Sequence, residues 1–457
     1  MNRSTEMRDE KIGKLLWKFS LPAIIGMLVN ALYNIVDRIF VGQGVGFVGI
    51  AATTVAFPIM IVMMATTMLI AIGATALISI RLGEQKKEEA EKIAGNATVL
   101  MIILPLLLTL LYLAFTDPIL KLFGASEQVL PYARDFTHII MLGSVSGSIA
   151  FGMNNFIRAE GNPRYAMLTQ IIGAVLNTIL NYIFIFKLGL GIKGSALASI
   201  SGQTVSALFV LGYYFSGRNL IKIHLKNLKP QMPIIFGILS IGFAPFAMQI
   251  ANSVQQTILN KTLMVFGGDI ALSAVGIIMS IATIIFMPIV GISQGAQPLI
   301  GFNYGAKQYS RVKETLKKSV LFSTILGLSG YLVIRAWPYE IIGLFSKGDT
   351  ELTQLTVHAM LTFFALLPLI GIQILCSSYF QAVGKPLQST LLSLSRQVLL
   401  FIPLLLILPH FWGIDGVWRT APIADVLSIM ITSTVILWEM KRLPKNSPLP
   451  TEESSAN

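Results

Sequence analysis

Among the residues that could carry chemistry, one carboxylate lies inside an apolar stretch long enough to cross a membrane. Asp37 is near the end of SLPAIIGMLVNALYNIVDRIFVG, residues 20–42, which would reach about 33 Å as a helix. A carboxylate in hydrocarbon is costly unless it faces protein or a wet cavity. We therefore expect Asp37 to take up a proton or a cation inside the protein. The alternative is a carboxylate at the membrane surface, paired with Arg38 or Lys261.

Neutral polar residues at helical spacing accompany this carboxylate. Asn30 and Asn34 precede Asp37 so that the three are at i, i+4 and i+7 and share one helical face. Two later apolar segments carry Gln170, Asn177 and Asn181, and then Ser195 and Ser199. Amide and hydroxyl oxygens can coordinate a hard cation or bond a protonated acid. They can equally form hydrogen bonds that hold helices together, and the spacing alone leaves both uses open.

The composition requires a membrane. The 457 residues are 54% hydrophobic and 12% charged, with a mean hydropathy of +0.72, whereas soluble domains average about 25% charged. We predict an all-α polytopic membrane protein. Its twelve spans are placed at 17–41, 47–80, 93–114, 135–157, 165–186, 192–215, 233–260, 270–302, 316–336, 354–380, 388–409 and 416–440.

Lysine and arginine predict the orientation of these spans. With the N-terminus inside, the inner segments hold 24 of these cations and the outer segments hold 8. Positive charge accumulates on the cytoplasmic side of membrane proteins, so we expect a multi-pass protein of the plasma (inner) membrane with both termini in the cytoplasm. This topology accounts for the net charge of +12 with the lipid bilayer, and no nucleic acid, as the partner.

An internal repeat divides the chain in two. Positions 222 to 223 apart match from Pro22 and Pro245 to Gly191 and Gly413. Six spans per copy is an even number, so both six-helix bundles enter the membrane in the same sense and are related by an axis along its normal. The predicted units are an N-terminal lobe at 1–218, a cytoplasmic linker at 219–232, a C-terminal lobe at 233–443 and a polar, disordered tail at 444–457.

The second half lacks the charge of the first. Asn260 is at the repeat position of Asp37. Asp425 is the other acid well inside a span. It either forms a second ion or substrate site or pairs with Arg396 or Arg419. The residues assigned to a substrate cavity are Asn30, Tyr33, Asn34, Gln249, Ser253, Gln256, Asn260 and Asp425.

Other chemistry has little support in the sequence. The four histidines are scattered without an i, i+4 metal pair, and there is no phosphate-binding G-x-x-x-x-G-K-[ST] loop. We therefore expect that the protein is not an enzyme and has no cofactor. The metal ion that could bind is Na⁺, at Asp37.

Several segments together resemble the multidrug and toxic compound extrusion (MATE) transporters. They are FSLPAIIGMLVNALYNIVDRIFVG at the first span, FIRAEGNP at 156–163 with its counterpart YFQAVGKP at 379–386, and GIKGSALAS before the sixth span. With the doubled six-span pattern, the resemblance covers residues 15–440. It implies two lobes forming a V around a central cavity, in a monomer that exchanges Na⁺ or H⁺ for organic cations and drugs.

The resemblance also implies roles for single residues. The aspartate of the first helix is the cation or proton site, helped by two residues of the fifth helix and one of the sixth, which match Asn177, Asn181 and Ser199. Asn181 stands where the family pattern has an acid, so one carboxylate remains where two are expected. Pro22 removes a backbone hydrogen bond and lets the first helix bend.

Two alternatives remain at this point. A flippase for a lipid-linked sugar shares this architecture, but it would need several cationic residues in its cavity to hold a pyrophosphate. Only Arg396 is clearly placed within a span. A membrane-embedded enzyme or structural subunit is an alternative of another class, and it lacks a visible catalytic constellation.

Overall fold

The computed structural model describes residues 3–217, 219–346 and 349–444, and every regular element within them is helical. The all-α prediction is therefore confirmed. The elements are α1 (Arg3–Asp9), α2 (Ile12–Val45), α3 (Phe47–Gly83), α4 (Lys87–Ala114), α5 (Thr116–Leu122), α6 (Leu130–Leu142), α7 (Ser144–Ala159), α8 (Pro163–Tyr182) with a π-helical end (Ile183–Lys187), α9 (Gly191–Phe215), a 3-10 turn (Leu225–Leu228), α10 (Met232–Gly305), α11 (Tyr309–Ala336), α12 (Pro338–Ser346), α13 (Thr350–Phe363), α14 (Leu367–Ala382), α15 (Pro386–Leu394) with a π-helical end (Ser395–Phe401), α16 (Ile402–Ile407), α17 (Pro409–Trp412) and α18 (Ile414–Arg442).

These helices supply twelve membrane crossings. Nine helices in the described part of the chain are long and apolar enough to cross a bilayer, and two bent pairs, α6 with α7 at 51° and α13 with α14 at 50°, supply one crossing each. The 74-residue α10 contains Gly268 in a non-helical conformation, with φ 63° and ψ −159°. It therefore folds back on itself and makes two crossings, which the sequence predicts at 233–260 and 270–302.

The backbone confirms the internal repeat. Gly46 ends the first crossing at φ 83°, and Gly268, 222 positions later, ends its counterpart at φ 63°. Gly161 and Gly384 follow the bent fourth and tenth crossings at φ 84° and 71°. Positive φ favours glycine because a side chain would clash with the backbone, so the repeated glycines mark repeated turns.

The two lobes, the N-lobe (α2 to α9) and the C-lobe (α10 to α18), make close backbone contact at one end of the molecule. A Cβ added at Gly242 of α10 would fall 1.7 Å from the Leu69 carbonyl oxygen of α3. One added at Gly295, near the other end of α10, would fall 2.7 Å from Ser20 Cα of α2. We call this contact the seal. Side chains at these glycines would push the lobes apart.

Beyond the seal the facing helices separate and leave a cleft. The second half of α2 presents Asn30, Asn34 and Arg38 as exposed side chains, although α2 lies at the boundary between the lobes. Gln256 and Asn260 are exposed on α10. The lobes thus form the predicted V, closed at the end where Ser20 lies and open at the end where α2 turns into α3.

The outer surface is suited to lipid. On α4, Leu106, Leu107, Leu110 and Leu111 are 47–59% exposed. Exposed apolar area on this scale marks a surface that another apolar phase covers. Together with the long apolar helices, it makes this a multi-pass membrane protein.

The loop between the lobes packs on the N-lobe. The Glu91 carboxylate of α4 accepts a hydrogen bond from the Lys222 backbone N–H at 3.0 Å, and the Asn96 side chain accepts one from the Gln231 backbone N–H at 2.7 Å. The predicted lobe and linker boundaries stay a prediction. Arg218 and, beyond Pro444, the tail that we expect to be disordered lie outside the described residues.

Candidate functional site

Three helices of the N-lobe meet at Asp37. This half-buried carboxylate lies in the second half of α2, which contacts α8 and α9. Its Oδ1 atom accepts hydrogen bonds from the Asn181 side-chain amide of α8 and from the Ser195 hydroxyl of α9, the latter at 3.0 Å. Hydrogen bonds to an ionised acceptor are about twice as strong as neutral ones. The arrangement therefore holds a carboxylate in a fixed position between the helices.

An unused oxygen lies beside this carboxylate. Asn181 is fully buried, and its Oδ1 atom has no hydrogen-bond partner among the described residues. A buried polar atom without a partner calls for an explanation such as an ion or a water molecule. Carboxylate, amide and hydroxyl oxygens are the ligands that hard cations take. The same set also suits a proton, because a protonated Asp37 would donate to an amide oxygen.

The structure changes one predicted site residue. Ser199 does not contact Asp37; its hydroxyl accepts a hydrogen bond from the Asn177 amide at 3.2 Å. Ser195 takes the place beside the carboxylate. The two serines are one helical turn apart on α9, about 5.4 Å along its axis, so the polar face forms two levels. Only the level of Asn181 and Ser195 reaches the charge.

The level of Asn177 and Ser199 opens into a neutral cavity of about 190 Å³ within the N-lobe. Asn30 and Tyr33 of α2, two of the residues assigned to a substrate cavity, line it, and their role in substrate binding stays a prediction. Gln170, which the sequence places on one polar face with Asn177, lines it too, and the polar residues that the prediction missed are Thr169, Gln203 and Ser206. A polar stripe along α9 could have revealed the last two, because Ser195, Ser199, Gln203 and Ser206 recur at helical spacing.

Asp37 also lines a second cavity, of about 240 Å³, with Asn34, Arg38 and Phe57. The residues that line this cavity belong to the N-lobe, and Asn34 and Arg38 among them are exposed on α2. The Arg38 guanidinium lies over the Phe57 ring, 5.9 Å from its centroid. Within the described residues Asp37 makes no ion pair with Arg38 or Lys261, which was the alternative role for this carboxylate. Its contacts are those of a site inside the lobe.

A feature that the sequence did not indicate follows Asn181 directly. The end of α8 is π-helical over Ile183–Lys187, and Ile185 within it is buried. π-Helical turns are often found at functional sites. The start of α9 packs on this turn, since a Cβ added at Gly194 would lie 3.0 Å from the Phe184 backbone. The turn therefore sets the distance between Asn181 and the first serine of α9.

The matching face of the C-lobe is neutral. The Gln256 side-chain amide donates to Asn260 Oδ1 on the same helix at 3.0 Å. Gln249 reaches across to Met64 of α3, with 3.8 Å between its nitrogen and the sulfur, and the Ser253 carbonyl accepts a bond from Thr257. The face carries polar groups but no charge.

Asp425 is a buried partner of an arginine. Its side chain is 2% exposed, and its Oδ1 atom accepts a hydrogen bond from Arg396 Nε at 2.5 Å. Arg419 instead lies over the Trp412 ring at 5.1 Å. Of the uses considered for Asp425, the structure provides the ion pair with Arg396. Burial excludes its side chain from the surface of the cleft, which corrects its assignment to the substrate cavity.

Comparison with known proteins gives one consistent family. The MatE family model matches residues 22–183 and 245–407, that is, both copies of the repeat. The multidrug export protein MepA of Staphylococcus haemolyticus is 26% identical over 435 residues, covering 95% of each chain. MepA of a Staphylococcus aureus strain is also 26% identical, over 96% of this chain and 98% of its own.

Solved structures agree. The MATE multidrug transporter DinF-BH, solved as a complex, is 39% identical over 95% of this chain and 97% of its own, with a TM-score of 0.88. A MATE protein solved in complex with MaL6 is 24% identical, with coverage of 97% and 99% and a TM-score of 0.92. This second likeness concerns the fold alone.

Proposed function

Because the chain belongs to the MatE family of transporters, we propose that it exports organic cations and drugs in exchange for H⁺ or Na⁺. The multidrug export named for the MepA relatives and the multidrug transport named for DinF-BH support this class of cargo. Full-length similarity to these proteins, over 95% of this chain or more, supports transfer of the whole activity.

One observation carries the coupling mechanism. Asp37 is held inside the N-lobe by Asn181 and Ser195, and it lines a cavity with Asn34 and Arg38, whose side chains are exposed where α2 faces the cleft. Removing a carboxylate from water penalises its charged form, and a proton or a Na⁺ ion relieves that penalty. An ion arriving through the cleft therefore has a favourable place to bind.

Ion binding changes what α2 prefers to contact. The ionised Asp37 accepts bonds from the Asn181 N–H of α8 and the Ser195 hydroxyl of α9. A protonated Asp37 or a bound cation instead needs the oxygen atoms of these residues, and therefore a different arrangement of the three helices. Pro22, buried within α2 next to the seal, removes a backbone hydrogen bond and makes bending easy there. Bending α2 moves Asn30 and Tyr33, which line the neutral cavity. Drug and ion then favour different arrangements of one helix, which is the requirement for coupling.

The orientation follows from charge. At the closed end, the loops between α3 and α4 and between α10 and α11 hold Lys86 and Lys307, and the adjoining helix ends hold Arg81 and Lys87. By the positive-inside rule this end faces the cytoplasm. The cleft then opens to the outside, both termini are cytoplasmic, and the protein acts as a monomer in the plasma membrane. Alternating access requires the seal to open and the cleft to close.

The flippase alternative loses its main support. A pyrophosphate would need several cationic side chains in the cleft. Arg396 is largely buried and paired with Asp425, and Arg38, exposed beside Asp37, is a single cation next to a carboxylate. Organic cations fit a cleft that combines a carboxylate with neutral amides.

Transport in proteoliposomes with separately imposed H⁺ and Na⁺ gradients tests the proposal. Ethidium and norfloxacin serve as cargo. We expect one of the two gradients to drive transport, and we expect Asp37→Asn to abolish that response while the protein still folds. The matched control is Asp269→Asn, at an exposed aspartate beside the turn of α10 in the other lobe, which should retain the response. If Asp37→Asn responds as well as the unmodified protein does, Asp37 is not the coupling site.

A further inference from the structure

A buried arginine lies at the closed end of the cleft. Arg158, one residue from the end of α7, is 4% exposed. Its Nη1 atom donates to the Gln294 side-chain oxygen on α10, and its Nη2 atom donates to Asn155 Oδ1 at 2.7 Å. The first of these bonds joins the N-lobe to the C-lobe.

The Arg158 guanidinium has no acidic partner in the described part of the chain. Within the described residues, no aspartate or glutamate lies within 4.0 Å of the Arg158 guanidinium. Arg396 is also largely buried, but it has Asp425. A buried charge is compensated only by a close opposite charge and good hydrogen bonds, and Arg158 has neutral acceptors alone.

Its partner Gln294 sits in the middle of the seal. Gly291 lies one turn before it, and a Cβ added there would fall 2.7 Å from Ile24 Cα of α2. Gly295 follows it directly, and a Cβ added there would fall 2.7 Å from Ser20 Cα of α2. The Gln294 nitrogen lies 3.9 Å from the Met27 sulfur, also in α2. The contacts therefore run from α7 to α10 and back to α2, the helix that carries Asp37.

Other polar groups in the seal lack partners. The Ser20 hydroxyl and the Gln297 amide nitrogen are buried without hydrogen bonds among the described residues. Water would reach them if the lobes parted at this end. Like Arg158, they are better solvated when the seal is open, so the seal combines tight packing with unfavourable polar burial.

The charge belongs to one lobe only. The repeat position of Arg158 is Gln381 on α14, which is neutral and also buried. A glutamine is therefore accommodated at this place in the fold, and the packing of the bent helix pair does not require an arginine.

We propose that Arg158 is a positioning residue that keeps the seal weak enough to open, because its charge is buried there without a carboxylate and is hydrated when the lobes separate. Its bond to Gln294 guides the lobes back into register on closing. This inference rests on the alternating access of the proposed function, but it concerns the position of the lobes and not the cargo or the ion.

The two partners of the bond give opposite predictions. Arg158→Gln keeps a hydrogen bond to Gln294 and removes the buried charge, so the closed seal becomes more populated. Gln294→Leu leaves the guanidinium with one acceptor fewer, so the open seal becomes more populated. We expect the ratio of closed to open seal to change by about tenfold in each variant. Removing a buried charge, or removing one of its hydrogen-bond partners, is a large perturbation.

Distances between two spin labels across the closed end measure these populations. The single cysteine, Cys376, is buried and is first replaced by alanine. Cysteines are then introduced at the exposed positions Glu88 and Lys317, one on each lobe, and the protein is studied in lipid nanodiscs without drug or ion gradient. Gln381→Met is the matched control and should leave the distribution unchanged. If Arg158→Gln does not fold, Arg158→Met tests the same loss of charge.

Opposite shifts for Arg158→Gln and Gln294→Leu support the proposal. Longer distances for both variants would mean that Arg158 only packs the seal, and an unchanged distribution for both would mean that it has no role in opening. Either result overturns the inference. Because no cargo or gradient is used, the result is independent of whether Asp37 couples transport.

Discussion

The two lobes follow one six-helix plan, but they treat the same position differently. In the N-lobe, Asp37 is held between Asn181 and Ser195 from two neighbouring helices. In the C-lobe, the equivalent Asn260 is exposed and bonds to Gln256 one turn earlier on its own helix. One wall of the cleft therefore carries an ionisable group fixed in place, and the other is neutral.

The difference extends beyond the charge itself. The repeat position of Ser195 is Val417, which is buried in the C-lobe core. An acid placed at position 260 would find no hydroxyl donor at that place. From this comparison we expect coupling to need a carboxylate together with donors from other helices, because a bound ion would displace those donors.

Exchanging Asp37 and Asn260 between the lobes should have the largest effect on transport. The double variant Asp37→Asn with Asn260→Asp keeps the total charge but moves it to the C-lobe, where Gln256 of the same helix is the donor and Val417 replaces the serine hydroxyl. We expect gradient-driven drug transport in proteoliposomes to disappear. Asn260→Asp alone should retain transport, as the control. Substantial transport by the exchanged protein would show that a charge anywhere on the cleft suffices.

The buried acid of the C-lobe should affect stability more than transport. Asp425→Asn leaves Arg396 buried without its partner, a loss of about 3–5 kcal/mol for a buried pair. Thermal unfolding in detergent should report this as a clear decrease in Tm. Replacing both residues, as Arg396→Met with Asp425→Leu, should recover much of the loss. A single variant with the Tm of the unmodified protein would mean that the pair is not structural.

Asn181 distinguishes the two candidate ions. Asn181→Ala removes a hydrogen bond to a charged acceptor, worth about 1.5–3 kcal/mol. If the ion is H⁺, the carboxylate takes up protons more readily, and the half-maximal rate occurs at a proton concentration lower by about tenfold or more. If the ion is Na⁺, an oxygen ligand is lost and more Na⁺ is needed. Transport rates against ion concentration give the sign, and no change in either direction would remove Asn181 from the site.

The smallest predicted effect separates the two serines of α9. Ser195→Ala removes a bond to the Asp37 carboxylate, whereas Ser199→Ala removes a neutral bond from Asn177. Bonds to charged groups contribute about 1.5–3 kcal/mol and neutral ones about 0.5–1.5. The ion dependence of transport should therefore shift more in the first variant. A larger shift for Ser199→Ala would favour the level of the neutral cavity as the ion site.

Much of the fold could be predicted because it depends on patterns along the chain. Apolar runs gave the twelve crossings, and matched residues such as Pro22 and Pro245 gave the repeat. The break at 261–269 was also predicted, because Lys261 and Asp269 bound it, but the sequence does not show that helical structure continues up to Gly268 and turns there at a single residue. The short helices α1, α5 and α12 were also missed, since α1 precedes the first crossing and the other two lie between crossings.

The site could be predicted only to the level of a helical face. Periodicity placed Asn177, Asn181 and both serines on inward faces, but one helical turn decided between Ser195 and Ser199. That choice depends on how far α9 is shifted along α2, and the π-helical turn at Ile183–Lys187 contributes to it. Asp425 shows the same limit, because the sequence offered two arginines as partners and only three-dimensional packing selects Arg396.

Release of the coupling ion when drug binds tests the central claim most directly. Binding of drug and ion is reciprocal if they favour different arrangements. We expect that adding drug to the purified protein in weakly buffered solution releases a proton, seen with a pH-indicator dye, or releases bound radioactive Na⁺. Asp37→Asn should bind drug without any release. Equal release by Asp37→Asn and the unmodified protein would contradict the account, because the displaced ion would then come from another site.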